Sequence, residues 1–126
     1  MPEIAISDAE WIVMRVVWRL GKATAAEVIA ELAPTENWSH RTIRTLLGRL
    51  VEKDALTAEA DGNRYLYRPR VTQQKCVRAE SRSFLNKVFG GDAAELLIHF
   101  AQEAKISRQQ IDELKRLLDA KQRGEE

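Results

Sequence analysis

The fold is decided by residues 38–68, WSHRTIRTLLGRLVEKDALTAEADGNRYLYR. Apolar residues recur there at helical spacing and Ser39 is a favoured N-cap, so we predict a helix from Ser39 to about Asp54. The period then changes, and Leu56–Ala60 and Arg64–Arg68 are predicted strands. Asp61-Gly62-Asn63 lies between them and favours a tight turn. The stretch therefore predicts a helix followed by a β-hairpin.

Two further helices are predicted ahead of this stretch. They cover Ser7–Leu20 and Thr24–Ala33, and each opens with a capping box, in which Ser or Thr is followed three residues later by Glu. Three helices followed by a hairpin are typical of a winged helix-turn-helix domain. We expect this DNA-binding domain over residues 1–71.

Only helical patterns follow Pro69. Helices are predicted from Thr72 to about Phe89, from Asp92 and from Ser107, with a break at Gly90-Gly91. Their apolar stripes exceed what one thin layer can bury, so we expect residues 72–126 to form a three-helix dimerisation region. The alternative is that these helices pack on their own winged helix. The residues expected at the dimer contact are Phe84, Leu85, Val88, Leu96, Leu97, Phe100, Leu114 and Leu117.

The fold class predicted for the chain is therefore mainly α with a small β-wing. In such a fold the third helix suits the DNA major groove, which accepts one α-helix. Its outward side chains are Arg and Thr, and no acidic residue occurs from Trp38 to Val51. Gly48 would let the backbone approach DNA closely. The alternative is an ordinary solvated helix. The predicted DNA contacts are Ser39, Arg41, Thr42, Arg44, Thr45 and Arg49 on the helix, and Asn63 and Arg64 at the wing tip.

Linked motifs over nearly the whole chain resemble one family of regulators. The chain is similar to the penicillinase and methicillin-resistance repressors of BlaI/MecI/CopY type. The similar stretches are ISDAEWIVM (residues 6–14), TAAEV (24–28), WSHRTIRTLL (38–47), RLVEK (49–53), DGNRYLY (61–67) and ESRSFL (80–85).

The resemblance implies a bacterial transcriptional repressor that binds inverted-repeat operators, often with TACA/TGTA-like half-sites, as a homodimer. It also implies that the third helix enters the major groove. His40 stands where the family often has Pro, which affects how this helix begins. The family positions that match here are Ser39, Arg41, Thr42, Arg44 and Thr45.

The resemblance raises the question of how repression is released. In the antibiotic-responsive branch a regulatory protease cuts an Asn-Phe bond, and the corresponding step here is His99-Phe100. The copper-responsive branch carries Cys-x-Cys motifs, which this sequence lacks. Cys76 is a candidate redox switch because Lys75 and Arg78 would lower the pKa of its thiol if they were close in space. The plainer interpretation of Cys76 is a small packed residue.

Composition and motif content limit the other classes of function that the chain could have. The net charge of +1 does not by itself indicate a nucleic-acid partner, and one cysteine suits a reducing compartment. No apolar run approaches the ~20 residues of a membrane span, so we expect a cytoplasmic protein without a membrane partner. No catalytic constellation, metal site or cofactor motif is evident. The rival function is a winged-helix protein-interaction module without sequence-specific DNA binding.

Overall fold

The structure is a computed structural model that describes residues 4–124. This part of the chain forms six helices and three short strands, which confirms the predicted fold class. The elements are α1 (Asp8–Leu20), β1 (Ala23–Thr24), α2 (Ala25–Leu32), α3 (His40–Glu52), β2 (Leu56–Asp61), β3 (Arg64–Pro69), α4 (Gln73–Phe89), α5 (Ala93–Glu103) and α6 (Arg108–Gln122).

The helices begin where the capping patterns predict. At the start of α1, Glu10 N donates to Ser7 Oγ at 3.2 Å and Ser7 N donates to Glu10 Oε1 at 2.9 Å. Thr24 and Glu27 make the same reciprocal pair ahead of α2. Such boxes satisfy N–H groups that have no partner inside the helix.

The strands form one antiparallel sheet in the order β1-β3-β2. The β2–β3 hairpin runs from the pair Leu56–Pro69 to the pair Asp61–Arg64, so its turn has two residues. Gly62 in this turn has φ +67°, which glycine adopts without strain. The β1 strand was not predicted, because its two residues are too short for a period-two pattern and Thr24 also caps α2.

Among residues 4–124, the buried core residues come from the first three helices, the sheet and the loop between α3 and β2. Fourteen apolar residues are buried there, and Trp18, Trp38 and Tyr67 pack against them. The indole N–H of Trp18 also donates to Val71 O at 3.0 Å, which ties α1 to the end of the hairpin segment. The buried apolar residues are Val13, Met14, Val16, Val17, Ala23, Val28, Ile29, Leu32, Ile43, Leu46, Leu47, Leu50, Ala55 and Leu56.

The chain divides into two compact units, Met1–Ser81 and Arg82–Glu126. The first contains the winged helix and the beginning of α4. The second contains the rest of α4 with α5 and α6. The division falls inside α4, while the functional boundary between residues 71 and 72 stays a prediction.

Candidate nucleic-acid interface

The α3 helix has one buried face and one exposed face. Its apolar side chains enter the core, with Ile43 at 2% exposure and Leu47 and Leu50 at 0%. This packing orients the helix, so the opposite side chains face outward. The predicted contact residues Arg41, Thr42, Arg44, Thr45 and Arg49 are all exposed.

Local hydrogen bonds fix where α3 begins. Ser39 has extended backbone angles, and its Oγ accepts from Thr42 N at 3.1 Å and lies 3.0 Å from Thr42 Oγ1. Trp38 is half-buried against the core just before this cap. The helix begins at His40, so histidine occupies its first turn without disturbing the capped start. Ser39 and Thr42 are thus the capping pair of α3 as well as predicted DNA contacts.

An ion pair between a buried carboxylate and a partly exposed lysine anchors the other end of α3. The Glu10 side chain of α1 is 2% exposed, and Lys53 Nζ donates to Glu10 Oε1 at 2.6 Å and to Ala5 O at 2.8 Å. Burial acts to raise the pKa of Glu10, but hydrogen bonds from Lys53 and Ser7 and the Lys53 charge outweigh it, so the pKa lies below its ordinary value. The carboxylate therefore stays ionised and holds Lys53 at the end of α3.

The arginines of α3 differ from most other cations of the winged helix in having no carboxylate partner. Arg41, Arg44 and Arg49 have no ion-pair partner among residues 4–124. Most other cations of the winged helix are paired with carboxylates, in the pairs Arg19–Glu31 (2.6 Å), Arg64–Asp61 (3.4 Å), Arg68–Glu59 (2.6 Å) and Arg70–Asp54 (3.1 Å). Three unneutralised guanidinium groups thus lie on one helix face, where they attract an anionic partner.

A cleft of about 310 Å³, here called the wing cleft, separates the hairpin from α3 and the start of α2. It brings together two predicted contacts of the wing, Asn63 and Arg64, with Arg44 of α3. Backbone N–H groups in the first turn of a helix favour an anion, and α2 begins at the wall of this cleft. The lining residues are Thr24, Ala25, Ala26, Arg44, Asn63, Arg64, Tyr65 and Tyr67.

Sequence reasoning missed two parts of the wing cleft. Tyr65 is 58% exposed on the hairpin, and Ala25 and Ala26 open α2. Tyr65 and Tyr67 are two residues apart and therefore lie on the same face of β3, so the strand pattern did not show that only Tyr67 packs on the core. The capping box at Thr24 marks the start of α2 and was the sequence signal that could have pointed to Ala25 and Ala26.

Arg64 is partly neutralised within the wing. Hydrogen bonds from the Thr24 backbone and hydroxyl lower the pKa of Glu27, and the charges of Arg64 and Lys22 lower it further. The charge of Arg64 therefore interacts with the carboxylate of Glu27 as well as with that of Asp61. Arg44, in contrast, has no carboxylate partner among the described residues, so it is the stronger anion-binding group of the cleft.

The second unit exposes an unusual amount of apolar surface. No described residue from 82 to 124 is buried. Among the predicted dimer residues, Leu85, Leu96 and Leu114 are half-buried and the others are exposed. The exposed large apolar residues of this unit are Phe84, Val88, Leu97, Ile98, Phe100, Ile111, Leu117 and Leu118. Ile98, at 60% exposure, was not predicted.

The candidate release sites lie in helices. His99 and Phe100 are inside α5, and Phe89, His99 and Phe100 form a chain of ring contacts with centroid distances of 6.0 and 5.4 Å. Burial raises the pKa of the Cys76 thiol, and the nearby Lys75 charge lowers it only in part. The lowered pKa expected from neighbouring cations is therefore wrong, because desolvation outweighs them.

Residues 4–124 contain no cluster of three or more His, Cys, Asp or Glu side chains arranged to hold a metal ion. Within the same part of the chain, no helix has both the length and the apolar character needed to cross a membrane.

Comparison with known proteins places this geometry in a family. The profile described as penicillinase repressor matches residues 6–120. The penicillinase repressor of Bacillus licheniformis is 36% identical over 114 residues, which cover 90% of this chain and 89% of that protein. The methicillin resistance regulatory protein MecI of Staphylococcus aureus (strain N315) is 34% identical over 116 residues, covering 92% and 94%.

Two solved structures match the winged helix. The solution structure of the DNA binding domain of the repressor BlaI has 42% identity and a TM-score of 0.53, and covers 58% of this chain and 90% of that one. The monomeric form of Bacillus licheniformis BlaI in complex with the blaP half-operator has 41% identity and a TM-score of 0.52, covering 59% and 92%. These matches confirm the expected resemblance and the expectation of a repressor rather than an enzyme. The chain belongs to the penicillinase repressor family of transcriptional repressors.

Proposed function

We propose that this repressor binds an inverted-repeat DNA operator as a homodimer, with α3 of each protomer in the major groove and each wing on flanking phosphates. The observation that carries the proposal is the set of three exposed guanidinium groups on α3 that have no carboxylate partner in the described part of the chain. A solved relative, BlaI, is in complex with a half-operator, which supports the same use of this domain.

The exposed residues of α3 have the chemistry of groove readout. Arginine donates two hydrogen bonds to a guanine edge or binds phosphate, and the threonine methyl group packs on the methyl of thymine. Arg41, Arg44 and Thr45 are spaced for one helix face, and Arg49 extends it toward the C-terminal end. Ser39 and Thr42 hold the start of the helix, where they reach a phosphate or a base edge.

The wing cleft is suited to one backbone phosphate. Arg44 and Arg64 line it from two sides, the first-turn N–H groups of α2 form a third side, and Asn63 and Tyr65 add polar groups. Phosphate binding there would compete with Asp61 for Arg64, since their closest distance is 3.4 Å in the free protein. This contact sets the position of α3 along the DNA rather than its sequence preference.

Dimerisation is supported by the second unit. Forty-odd residues in three helices rarely fold alone, and the described part of this unit buries none of its side chains while exposing eight large apolar ones. A second copy that covers the face formed by the exposed residues completes a core. Two-fold symmetry then presents two α3 helices to two half-sites of an inverted repeat.

The test starts from purified full-length protein and fragmented genomic DNA. Selection of bound fragments is expected to enrich an inverted repeat whose half-sites lie about one helical turn, or a multiple of it, apart. On that duplex, log affinity is expected to fall linearly with log salt, by about 0.9 for each phosphate contacted.

The rival function makes the opposite prediction. A winged-helix protein-interaction module would enrich no sequence, and its weak DNA binding would not distinguish the selected duplex from a scrambled one. That outcome would overturn the proposed function and leave the α3 arginines for an acidic protein partner.

Cleavage of the His99-Phe100 bond by a regulatory protease in the cytoplasm, with release of the operator, stays a prediction. The bond lies in the middle of α5, and a protease requires extended backbone, so α5 must open locally before it is cut. Mild denaturant that unfolds α5 should make the bond a substrate in limited proteolysis. If the bond stayed intact under these conditions, the predicted cleavage would be contradicted. A redox role for Cys76 is disfavoured by the raised pKa of its thiol.

A further inference from the structure

A carboxylate is held beside the wing cleft by the capping box of α2. Thr24 lies in the wall of this cleft and is only 4% exposed. Its backbone N donates to Glu27 Oε1 at 2.8 Å, its hydroxyl donates to the same oxygen at 3.1 Å, and Glu27 N donates to the hydroxyl at 3.2 Å. These three hydrogen bonds fix the Glu27 carboxylate next to the cleft, although Glu27 does not line it.

Strand pairing brings this carboxylate close to the wing. Thr24 is the register partner of Leu66, and Arg64 lies two residues before Leu66 on the same face of β3. The hydrogen bonds from Thr24 hold the pKa of Glu27 below its ordinary value, and the Arg64 charge lowers it further. Glu27 is therefore ionised at neutral pH and within electrostatic reach of Arg64.

The charges around the wing cleft are mixed in sign. Arg44 and Arg64 line the cleft, Lys22 lies within electrostatic reach of Glu27, and Asp61 lies 3.4 Å from Arg64. Arg44 has no carboxylate partner among residues 4–124, whereas Arg64 interacts with the carboxylates of both Asp61 and Glu27. A phosphate that enters the cleft would thus meet one unshared guanidinium group and one that two carboxylates already partly neutralise.

We propose that Glu27 limits the affinity of the repressor for DNA, because its carboxylate competes with a backbone phosphate for Arg64 in the wing cleft. This role of Glu27 rests on the proposed function, which places a phosphate in that cleft. Phosphate contacts carry no direct sequence information, so Glu27 weakens binding to the operator and to other DNA by the same factor. It sets how much repressor is needed for occupancy without changing which site is preferred.

Replacing Glu27 with glutamine removes the charge and keeps the cap, since glutamine serves equally well at this position of a capping box. Fluorescence anisotropy with the full chain at about 0.05 M salt is expected to show a two- to fivefold gain in affinity, roughly the effect of one exposed charge pair. The gain should be equal on the selected duplex and on a scrambled one, and should lie mainly in faster association. It should shrink at about 0.3 M salt, where the Debye length falls from about 14 Å to about 6 Å.

Two further variants separate this role from a general change in net charge. Glu31→Gln makes the same charge change at an exposed position one turn further along α2, where Glu31 pairs with Arg19, and is expected to leave both affinities nearly unchanged. In an Arg64→Gln background, the gain from Glu27→Gln should fall by at least half, because the competition for this side chain is removed. Urea unfolding followed by circular dichroism verifies that each variant is folded.

Each outcome either supports or overturns this role of Glu27. An unchanged or lower affinity of folded Glu27→Gln, while Arg64→Gln still weakens binding, would overturn it and leave the proposed wing contact in place. A gain that is equally large for Glu31→Gln or in the Arg64→Gln background, or that is confined to the selected duplex, would also overturn it. If Arg64→Gln alone did not weaken binding, the phosphate contact of the proposed function would fail, and the competition at Arg64 would fail with it.

Discussion

Replacing Gly48 with alanine separates the stability of α3 from its use in DNA binding. Gly48 lies inside α3, and a Cβ built on it meets no atom within 4 Å. The methyl group is therefore accepted without strain in the free protein. Alanine is favoured over glycine in a helix interior by about 0.8–1.0 kcal/mol, largely because it restricts the unfolded chain. We expect Gly48→Ala to raise the free energy of unfolding by nearly this amount, which is about 4–6 °C in Tm for a unit of this size.

The same methyl group is expected to weaken operator binding. Gly48 follows Arg41 by seven residues and Thr45 by three, so it is half-buried on the same side of α3 as both of them. If this face enters the major groove, the added methyl separates α3 from the base edges and costs one good base contact. That loss is worth about 1–3 kcal/mol, or about five- to 150-fold in Kd.

Two measurements on the same samples test this reasoning. Thermal and urea unfolding followed by circular dichroism give the stability, and fluorescence anisotropy with the selected duplex at fixed salt gives the affinity. Ala30→Gly is the matched control, because it makes the reverse change at an exposed position of α2 and should lower stability without changing affinity. An unchanged or higher affinity of Gly48→Ala would refute the placement of this face against DNA. A lower stability of Gly48→Ala would contradict the conclusion that a methyl group at this position meets no other atom.

Three other substitutions test the remaining parts of the structure. Arg44→Ala is expected to weaken operator binding by about 1–3 kcal/mol in anisotropy titrations, while Arg19→Ala leaves it unchanged; retained affinity for Arg44→Ala in a folded dimer would refute the α3 assignment. Leu117 is 55% exposed, so Leu117→Glu should leave the winged helix folded and shift light scattering to the monomer mass; a persistent dimer would place the contact elsewhere. The lowered pKa of Glu10 means that its carboxylate stabilises the fold above pH 4.5 and that this contribution is lost as the pH falls through the lowered value. Urea unfolding should therefore show Glu10→Gln less stable than the native chain by about 1–3 kcal/mol at pH 7, with the difference shrinking at low pH; a constant difference would contradict the ion pair.

Features that depend on near neighbours in the chain were predictable. The capping boxes at Ser7 and Thr24 join residues three apart, so the sequence pattern contains both partners. The two-residue turn at Gly62 is another local feature, because its backbone angle is one that glycine favours. The exposed face of α3 also followed from the helical period once the apolar positions were assigned to the core.

Features that depend on distant partners were not predictable. The β1 strand exists because Ala23 and Thr24 pair with Tyr67 and Leu66, more than forty residues away. The tie between Glu10 and Lys53 spans 43 residues. Cys76 shows the same limit for electrostatics, since sequence displays its charged neighbours but not the burial that outweighs them.

The winged helix buries its apolar residues within one protomer, whereas the second unit leaves its apolar residues exposed. This difference affects how repression depends on protein concentration. The winged helix buries its own core, including Val13, Leu47 and Leu50 at 0% exposure, so it is expected to hold α3 in place within a single protomer. The helices from residue 82 onward expose their apolar faces, so on the proposed function their order depends on a second copy. One protomer can then read one half-site weakly, while the dimer adds the second half-site as an intramolecular step with a high effective concentration. Operator occupancy should therefore rise more steeply than linearly with protein near the dimer dissociation constant. Any event that separates the two protomers at their α5 and α6 faces would therefore release DNA, although the contacts of each α3 with its half-site are unchanged.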